Sequence, residues 1–235
     1  MVKNAFQEGL RRLGLGEELE EAFLRYRQEL LEWNTRFNLT AIKDPEEVMI
    51  KHFLDSLSLL TLFPQEEATL LDIGTGPGFP GLPLKITRPR WRVTLLEATN
   101  KKVIFLRHMV DVLGLENVEV VHGRAEELGH KPEYRAAFDL VTARAVAALP
   151  ALLEYCAPYC RLNGTILLPK KGDMSEEIAQ GKRAAAMLGV VWESDVALDL
   201  PGLEDGRRLL TWRQRKLCPE SYPRSGAAMA KRPLG

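Results

Sequence analysis

The chain has 235 residues, enough for one sizeable core, and its 46% hydrophobic and 27% charged residues describe an ordinary globular protein, not a disordered or fibrous one. Its 32 basic and 32 acidic residues cancel, which removes overall basicity as an argument for nucleic acid; any polyanion contact must come from local asymmetry. Three cysteines are too few and too oddly numbered for a disulfide framework, the amino terminus has no apolar signal core, and no stretch approaches the roughly 20 apolar residues of a membrane span, so a cytoplasmic protein without membrane contact is expected.

Residues before about 68 read as helical and acidic, with no strand pattern. From Glu17 to Trp33, the side chains Leu19, Phe23, Tyr26, Leu30 and Trp33 recur at helical spacing and predict a core-facing stripe. The turn that follows, up to Thr40, mixes aromatics, amides and Arg36; it can stack or hydrogen-bond a nucleobase, or simply close a loop. Asp44-Pro45-Glu46-Glu47 combines an N-cap, a first-turn proline and a capping-box Glu, predicting a second helix from about Pro45 to Leu60. On it His52 and Asp55/Ser56 share a face at helical spacing, read first as a surface hydrogen-bonded pair and alternatively as substrate-contacting groups.

The next stretch organises the chain. Thr69 to Ile73 reads as a buried strand, and Gly74-Thr75-Gly76-Pro77-Gly78-Phe79-Pro80-Gly81 as a glycine-rich turn entering a helix, with Pro80 in its first turn. Gly76-x-Gly78-x-x-Gly81 formally satisfies the dinucleotide pattern, yet Pro77 and Pro80 each remove an N–H donor that a pyrophosphate cradle needs. A ligand without phosphates suits the loop better. S-adenosylmethionine (SAM) is such a ligand, and Asp72 stands where it can attract the amino group or a water holding it. A second strand, Trp91 to Glu97, ends in an acid placed to accept ribose hydroxyls, making Glu97 the best candidate ligand outside the glycines.

Asn100 is expected to cap a helix through Leu113, with Lys101, Lys102, Arg107 and His108 as a basic start and flank. Strands are predicted at Val118–His122 and Phe138–Thr142, the first followed by Gly123-Arg124-Ala125-Glu126 entering a helix, the second by Ala143-Arg144-Ala145-Val146. Cys156 and Cys160 lie four apart on an expected helix with no second ligand pair, so they read as packed side chains and no metal is expected. A fifth strand at Thr165–Leu168 is followed by a basic turn, Pro169-Lys170-Lys171-Gly172. A helix from Ser175 to Met187 and late strands near Val190–Trp192 and Arg208–Trp212 complete a seven-stranded, mostly parallel α/β sheet, whose turns at 74–81, 97–101, 123–126 and 142–146 should converge on one pocket. The tail is locally basic, with Trp212 and Tyr222 interleaved, as phosphate contact would need and as solvated charge also explains.

If the ligand is SAM, methyl transfer is an in-line displacement that depends on positioning. After the fourth strand the chain has Thr142-Ala143-Arg144-Ala145 where exocyclic-amine methylases often carry an Asn/Asp/Ser-Pro-Pro-aromatic tetrad, and no cysteine follows a proline as carbon-5 chemistry usually requires. An acceptor with a free lone pair and no proton to lose, such as ring N7 of guanine, is consistent with a site lacking an obvious base.

The combination Asn38-Leu39-Thr40, His52-Phe53-Leu54-Asp55-Ser56-Leu57, Asp72 through Gly81, Gly123-Arg124-Ala125-Glu126, Arg144-Ala145-Val146-Ala147, and the ending Tyr222-Pro223-Arg224 through Pro233-Leu234 closely resembles the bacterial 16S rRNA guanine-N7 methyltransferase family called RsmG or GidB, in order and over nearly the whole chain. The resemblance implies a class I SAM-dependent methyltransferase fold, Rossmann-like, with an N-terminal helical extension. It implies transfer to a guanine of the decoding-region loop in small-subunit rRNA, S-adenosylhomocysteine as product, 16S rRNA or the small ribosomal subunit as partner, and a monomer with no obligate protein partner. Carried over by position, cofactor contacts fall on Gly74, Phe79, Ala125, Glu126 and Arg144, beside Asp72, Gly76, Gly78 and Glu97 read from the residues. Glu97 stands where many relatives carry Asp, Lys170 replaces the usual methionine, and Ala227 and Met229 replace a family Gly and Pro in the tail. The expected RNA path is His52, Lys102, Arg124, Lys171, Arg224 and Lys231; the expected division is a helical region over 1–68, a SAM-binding core over 69–217 and a basic tail over 218–235. A SAM enzyme for a small molecule, and a noncatalytic RNA-binding module stabilised by SAM, remain open alternatives at this point.

Overall fold

The computed structural model describes residues 2–235. Seven strands, β1 (Thr69–Ile73), β2 (Arg92–Glu97), β3 (Val118–His122), β4 (Phe138–Ala143), β5 (Cys160–Lys171), β6 (Val190–Ala197) and β7 (Arg207–Gln214), form one sheet in the order β3-β2-β1-β4-β5-β7-β6. β1 to β5 are parallel and β7 runs antiparallel to both its neighbours. The order reverses between β1 and β4, which puts the crevice at the carboxyl ends of those two strands.

Strand alternation builds two cores, one on each face of the sheet. Leu70, Val93 and Leu95 join a cluster with Phe23, Tyr26, Leu30 and Phe53 from the N-terminal helices, whereas Leu71, Ile73 and Leu96 join one with Leu152, Leu188 and Trp212. Residues 2–61 therefore form no separate core among the described side chains; they cover one face of the sheet. They comprise α1 (Val2–Arg12), a 3-10 turn at Glu17–Leu19, α2 (Glu20–Phe37), and a continuous helical run from Pro45 to Thr61. α2 starts later and runs four residues further than the periodicity indicates, ending at Asn38, which holds φ 48° in the left-handed cap conformation.

The run from Pro45 is not the single α-helix expected. Asp44 caps it through the N–H groups of Glu46 and Glu47, 3.0 and 2.9 Å away, but α3 (Pro45–Glu47) gives way to a π-helix over Val48–Leu54, then to α4 (Asp55–Leu57) and a 3-10 turn at Ser58–Thr61. The remaining helices are α5 (Gly81–Thr87), α6 (Asn100–Val112), α7 (Ala125–Leu128), α8 (Leu149–Cys156), α9 (Ser175–Leu188) and α10 (Gly226–Lys231). Pro80 is the N-cap of α5 and not its first residue. Asn100 is the first residue of α6; Thr99 is the N-cap, and its own N–H donates to the Glu97 carboxylate at 2.8 Å. β5 is also longer than expected and carries Pro169 and Lys171 inside the ladder, opposite Leu209 and Arg207. No helix among the described residues is long and apolar enough to cross a membrane.

Candidate active site

The glycine loop is folded by its own hydrogen bonds. The N–H groups of Gly74 and Thr75 donate to the Leu96 carbonyl at 2.8 and 3.2 Å, and those of Gly78 and Phe79 donate to the Thr75 carbonyl at 3.0 and 2.8 Å. Gly76 N–H donates to the Glu97 carboxylate at 2.9 Å and Gly81 N–H to Asp72 at 2.8 Å. Pro77 and Pro80 have no N–H to give. No loop amide is left to cradle a pyrophosphate, which removes the dinucleotide reading on geometric grounds.

Asp72 holds this loop from beneath. Its Oδ2 accepts from Thr75 Oγ1 at 2.6 Å and from Gly81 N, the carboxylate is fully buried, and desolvation pushes its pKa up to about 6 despite those bonds. Asp72 Oδ2 thus serves the loop, while its Oδ1 is buried without a partner. Gly78 is likewise a packing glycine: at φ 108°, a Cβ there would meet Tyr26 Oη at 2.3 Å and Leu82 at 2.5 Å, so helix α2 seats directly on the loop. Tyr26 Oη fastens that contact by donating to the Pro77 carbonyl. Gly76 is the opposite case, with φ 62° and no atom nearer than 4.0 Å to a Cβ, so there the bare backbone faces open space.

Two cavities open on either side of Gly74, beyond the carboxyl ends of β1, β2 and β4. The smaller, about 160 Å³, is lined by Leu96, Ala98, Arg124, Ala125, Glu126, Val146 and Tyr155. The larger, about 370 Å³, is lined by Thr40, His52, Phe79, Lys102, Arg144 and Arg207, with Gly74 and Gly76 on its floor. The expected convergence of four turns is therefore present. A hollow of about 520 Å³ lies at the opposite, amino ends of the strands, lined by Thr69, Arg92, Thr94 and Glu119, away from every residue singled out in the loop.

The larger cavity has a charged frame. Asp55, fully buried, accepts from Arg144 Nη1 and pairs with Arg207 Nη1, both at 2.7 Å. His52 is flat against the Phe79 ring, centroids 4.4 Å apart, and Phe79 stacks on Tyr26 at 5.4 Å, so the aromatic ring is held from both faces. Arg144 Nη2 lies 3.2 Å from His52 Nδ1, which must accept; Nε2 then carries the proton and donates to Thr40 Oγ1 at 2.8 Å. Burial first, then Arg144 and Arg207, lower the His52 pKa to about 3, so the ring is neutral. Thr40 is presented by Asn34, whose Oδ1 accepts from Leu39 N and Thr40 N at 2.7 and 2.9 Å; the amide in that turn closes the loop.

His52 and Asp55 are thus no surface pair. They touch different nitrogens of Arg144, and Asp55 and Ser56 are buried. Arg207, the first residue of β7, is a wall of the site. Glu97 is buried beside the loop, bonded to Gly76 and Thr99 with Lys102 Nζ 4.0 Å away. Lys171 pairs with Asp205 at 2.7 Å, and Asp205 in turn holds Arg207 at 3.1 Å, so Lys171 reaches the site only through an intermediary. Arg124 and Lys231 are exposed. Arg224 is not available to RNA as expected: its N, Nε and Nη2 all donate to the buried Glu154 carboxylate, at 2.9, 2.7 and 2.6 Å. Burial pushes the thiols of Cys160 and Cys218 up to about 12, and that of Cys156 upward as well, so none supplies a thiolate at neutral pH. Among the described residues no group of three or more His, Cys, Asp or Glu side chains is placed to hold a metal.

Comparison with known proteins gives a consistent result. Residues 19–202 match the family GidB, rRNA small subunit methyltransferase G. A ribosomal RNA small subunit methyltransferase G from Roseiflexus sp. is 45% identical over 222 residues, 94% of each chain. One from Alkaliphilus metalliredigens is 41% identical over 235 residues, covering 99% of this chain and 98% of that one. In fold, a SAM-dependent methyltransferase from Aquifex aeolicus superposes with a TM-score of 0.55 at 18% identity, over 75% of this chain and 97% of that one. The Pyrococcus horikoshii protein TYW2, solved in complex with MeSAdo, superposes with a TM-score of 0.51 at 13% identity over 63% and 57%.

Proposed function

The chain belongs to the rRNA small subunit methyltransferase G (GidB) family, and on that premise we propose that it transfers a methyl group from SAM to N7 of a guanine in 16S rRNA. Its broader activity, SAM-dependent methylation of small-subunit rRNA, is that of the family; the acceptor atom is the finer reading. The observation that carries it is the pair of cavities meeting at Gly74, one walled by Ala125, Glu126 and Tyr155, the other by a neutral His52 and two guanidiniums.

The residues present suit SAM. Gly76 offers open backbone, Glu97 keeps lone pairs beside it for hydroxyl donors, and the loop's internally bonded amides disfavour a phosphorylated cofactor. Bound SAM supplies a methyl on a sulfonium, already activated towards a nucleophile. Gly74, Gly76, Phe79, Glu97, Ala125, Glu126 and Arg144 are the residues we assign to holding it. The chain's remaining task is to bring the acceptor to that methyl and keep it on axis. Guanine N7 has an in-plane lone pair and no proton to lose, so its methylation needs no base. In the cleft His52 Nδ1 is engaged by Arg144, Asp55 Oδ2 by two arginines and Asp72 Oδ2 by the loop. Guanidinium donors at Arg144 and Arg207 suit O6 of guanine, which leaves the N7 lone pair free to take the methyl.

His52, Lys102, Arg124, Lys171 and Lys231 remain as the RNA path, without Arg224. We read 69–217 as the cofactor core, with 1–68 as the wall of the acceptor cleft, in a cytoplasmic monomer without an obligate protein partner. The test is methyl transfer from radiolabelled SAM to small-subunit rRNA taken from a strain lacking the protein, with the labelled nucleoside identified after nuclease digestion. Labelled 7-methylguanosine at one position is expected. A different labelled nucleoside overturns N7; SAM binding without transfer to rRNA at any assembly stage overturns the enzyme reading.

A further inference from the structure

The C-terminal segment, expected to be a basic arm for RNA, is fastened to the far side of the smaller cavity. α7, which carries Ala125 and Glu126, is a single turn of four residues and cannot hold itself in place. Three sets of contacts hold it. Tyr159 Oη donates to the Ala125 carbonyl at 2.7 Å from within the fold. Arg135 gathers four carbonyls, donating from Nη1 to Gly129 at 2.8 Å and Tyr222 at 2.9 Å, and from Nη2 to Cys218 at 2.8 Å and Pro219 at 2.9 Å. One guanidinium thereby ties the end of α7 to the tail. His130 Nε2 adds a bond to the Pro223 carbonyl at 2.8 Å, and Pro223 lies against Gly129.

Beyond Pro223 the chain turns onto the cavity wall. Arg224 closes on Glu154, a fully buried carboxylate whose chain neighbour Tyr155 lines the cavity, and Arg224 Nη1 also donates to the Arg232 carbonyl at 2.9 Å, binding the tail to itself across α10. At Gly226 the backbone passes so close that a Cβ would sit 3.1 Å from Glu126 Oε1 and 3.9 Å from Tyr155 Oη. Met229 and Leu234 are buried behind it. A buried carboxylate left without its partner is strongly unfavourable, so Arg224 and Glu154 dock together or not at all.

We propose that the segment 218–235 is a strap that positions Ala125, Glu126 and Tyr155 for the cofactor's adenosine end, with Arg224 as its latch and Arg135 as its hub, so that docking of the tail and binding of SAM favour one another. This rests on the SAM reading above. Arg224 is a positioning residue: it acts through Glu154 and the wall. Coupling of this kind is reciprocal, since whatever factor the docked tail adds to cofactor affinity, the cofactor adds to tail docking.

The experiment compares the full-length protein with Arg224→Met, which keeps the aliphatic stem and removes the charge, and with Arg224→Lys. S-adenosylhomocysteine is titrated into each by calorimetry, and binding to small-subunit rRNA is measured separately. Failure of the unaltered protein to bind S-adenosylhomocysteine overturns the SAM reading itself. With that binding present, we expect Arg224→Met to raise the dissociation constant for S-adenosylhomocysteine at least tenfold and the KM for SAM in parallel, with kcat at saturating SAM and rRNA affinity within threefold, and Arg224→Lys to recover part of the loss. An unchanged cofactor affinity in a folded Arg224→Met protein overturns the strap, and so does a loss confined to rRNA binding. Should the variant not fold, amide exchange over residues 222–232 of the unaltered protein decides: at least fivefold slowing with saturating S-adenosylhomocysteine is expected, and unchanged exchange refutes the coupling.

Discussion

Replacing Asp55 by Asn tests the charged frame of the acceptor cleft. One buried oxygen, Asp55 Oδ2, lies 2.7 Å from Nη1 of both Arg144 and Arg207, whose side chains are only 15% and 18% exposed. The two nitrogens are therefore within about 5.4 Å of each other, and unit charges at that spacing repel by about 3 kcal/mol at an effective dielectric constant of about 20. In the native protein the carboxylate offsets that repulsion; the amide removes the charge at constant volume and leaves two guanidiniums facing one another. Adding the lost charge-assisted bonds gives an expected destabilisation of about 3–5 kcal/mol, the range for breaking a buried ion pair. In a chain of this length that lowers Tm by roughly 8–15 °C. Urea and thermal unfolding measure it, and the double variant Asp55→Asn, Arg207→Gln should recover about 2 kcal/mol by removing one of the opposed charges. A single variant within 1 kcal/mol of the parent, or a double variant no better than the single one, would show that Asp55 does not hold the two arginines as argued.

Gly74→Ala should lower affinity for S-adenosylhomocysteine about tenfold in calorimetry, because Gly74 has φ 65° and an added Cβ meets Val146 Cγ2 at 2.8 Å; unchanged affinity would separate Gly74 from cofactor binding. Asp72 is buried with its pKa raised from the usual 3.8 to about 6, so the folded state holds that proton more tightly than the unfolded chain, and its contribution to stability falls as pH rises between those values. The stability of the parent relative to Asp72→Asn should accordingly decline by roughly 2.4 kcal/mol from pH 4 to pH 7, and a difference flat in pH in urea titrations would refute the assignment. His52, whose pKa is lowered to about 3 by burial and two arginines, should show ring proton resonances that do not move between pH 5 and 8; a midpoint near the ordinary value would mean that the ring is not packed on Phe79 as described.

The sheet was legible because its signals are local and mutually consistent. Each of β1 to β4 is a short apolar run bounded by turn residues, and the spacing between them leaves room only for a crossover. The glycine loop was legible for a different reason: Pro77 and Pro80 make a statement about missing donors that holds in any conformation, and the structure adds that the remaining amides are used internally. Long-range partners were not legible. Nothing at Arg207 or Arg208 tells which enters the site; the antiparallel register opposite Lys171 decides it, and Arg208 turns instead to Asp195 at 2.7 Å. Nor could composition show that Arg224 neutralises a buried Glu154, since both lie among residues that read as ordinary helix and tail.

His52 and Asp55 failed as a predicted pair because the prediction assumed an α-helix. Over Val48–Leu54 the backbone bonds run from residue i to i+5, as in the bond from Asp55 N–H to the Ile50 carbonyl, so each turn is wider than 3.6 residues and side chains three or four apart no longer lie in one row. The consequence bears on the site directly. In an α-helix the imidazole and the carboxylate would stack along one edge and compete for the same partner; the wider turn separates them, so that Arg144 is gripped on Nη2 by His52 and on Nη1 by Asp55. A guanidinium held on two sides has little freedom left, and its carbon sits 5.2 Å from the centre of the Phe79 ring. The π-helix is thus what converts one arginine after β4 and two residues on a buried run into a fixed donor array, with Ala145, at φ 57°, carrying the strained backbone that lets the chain leave β4 in that direction.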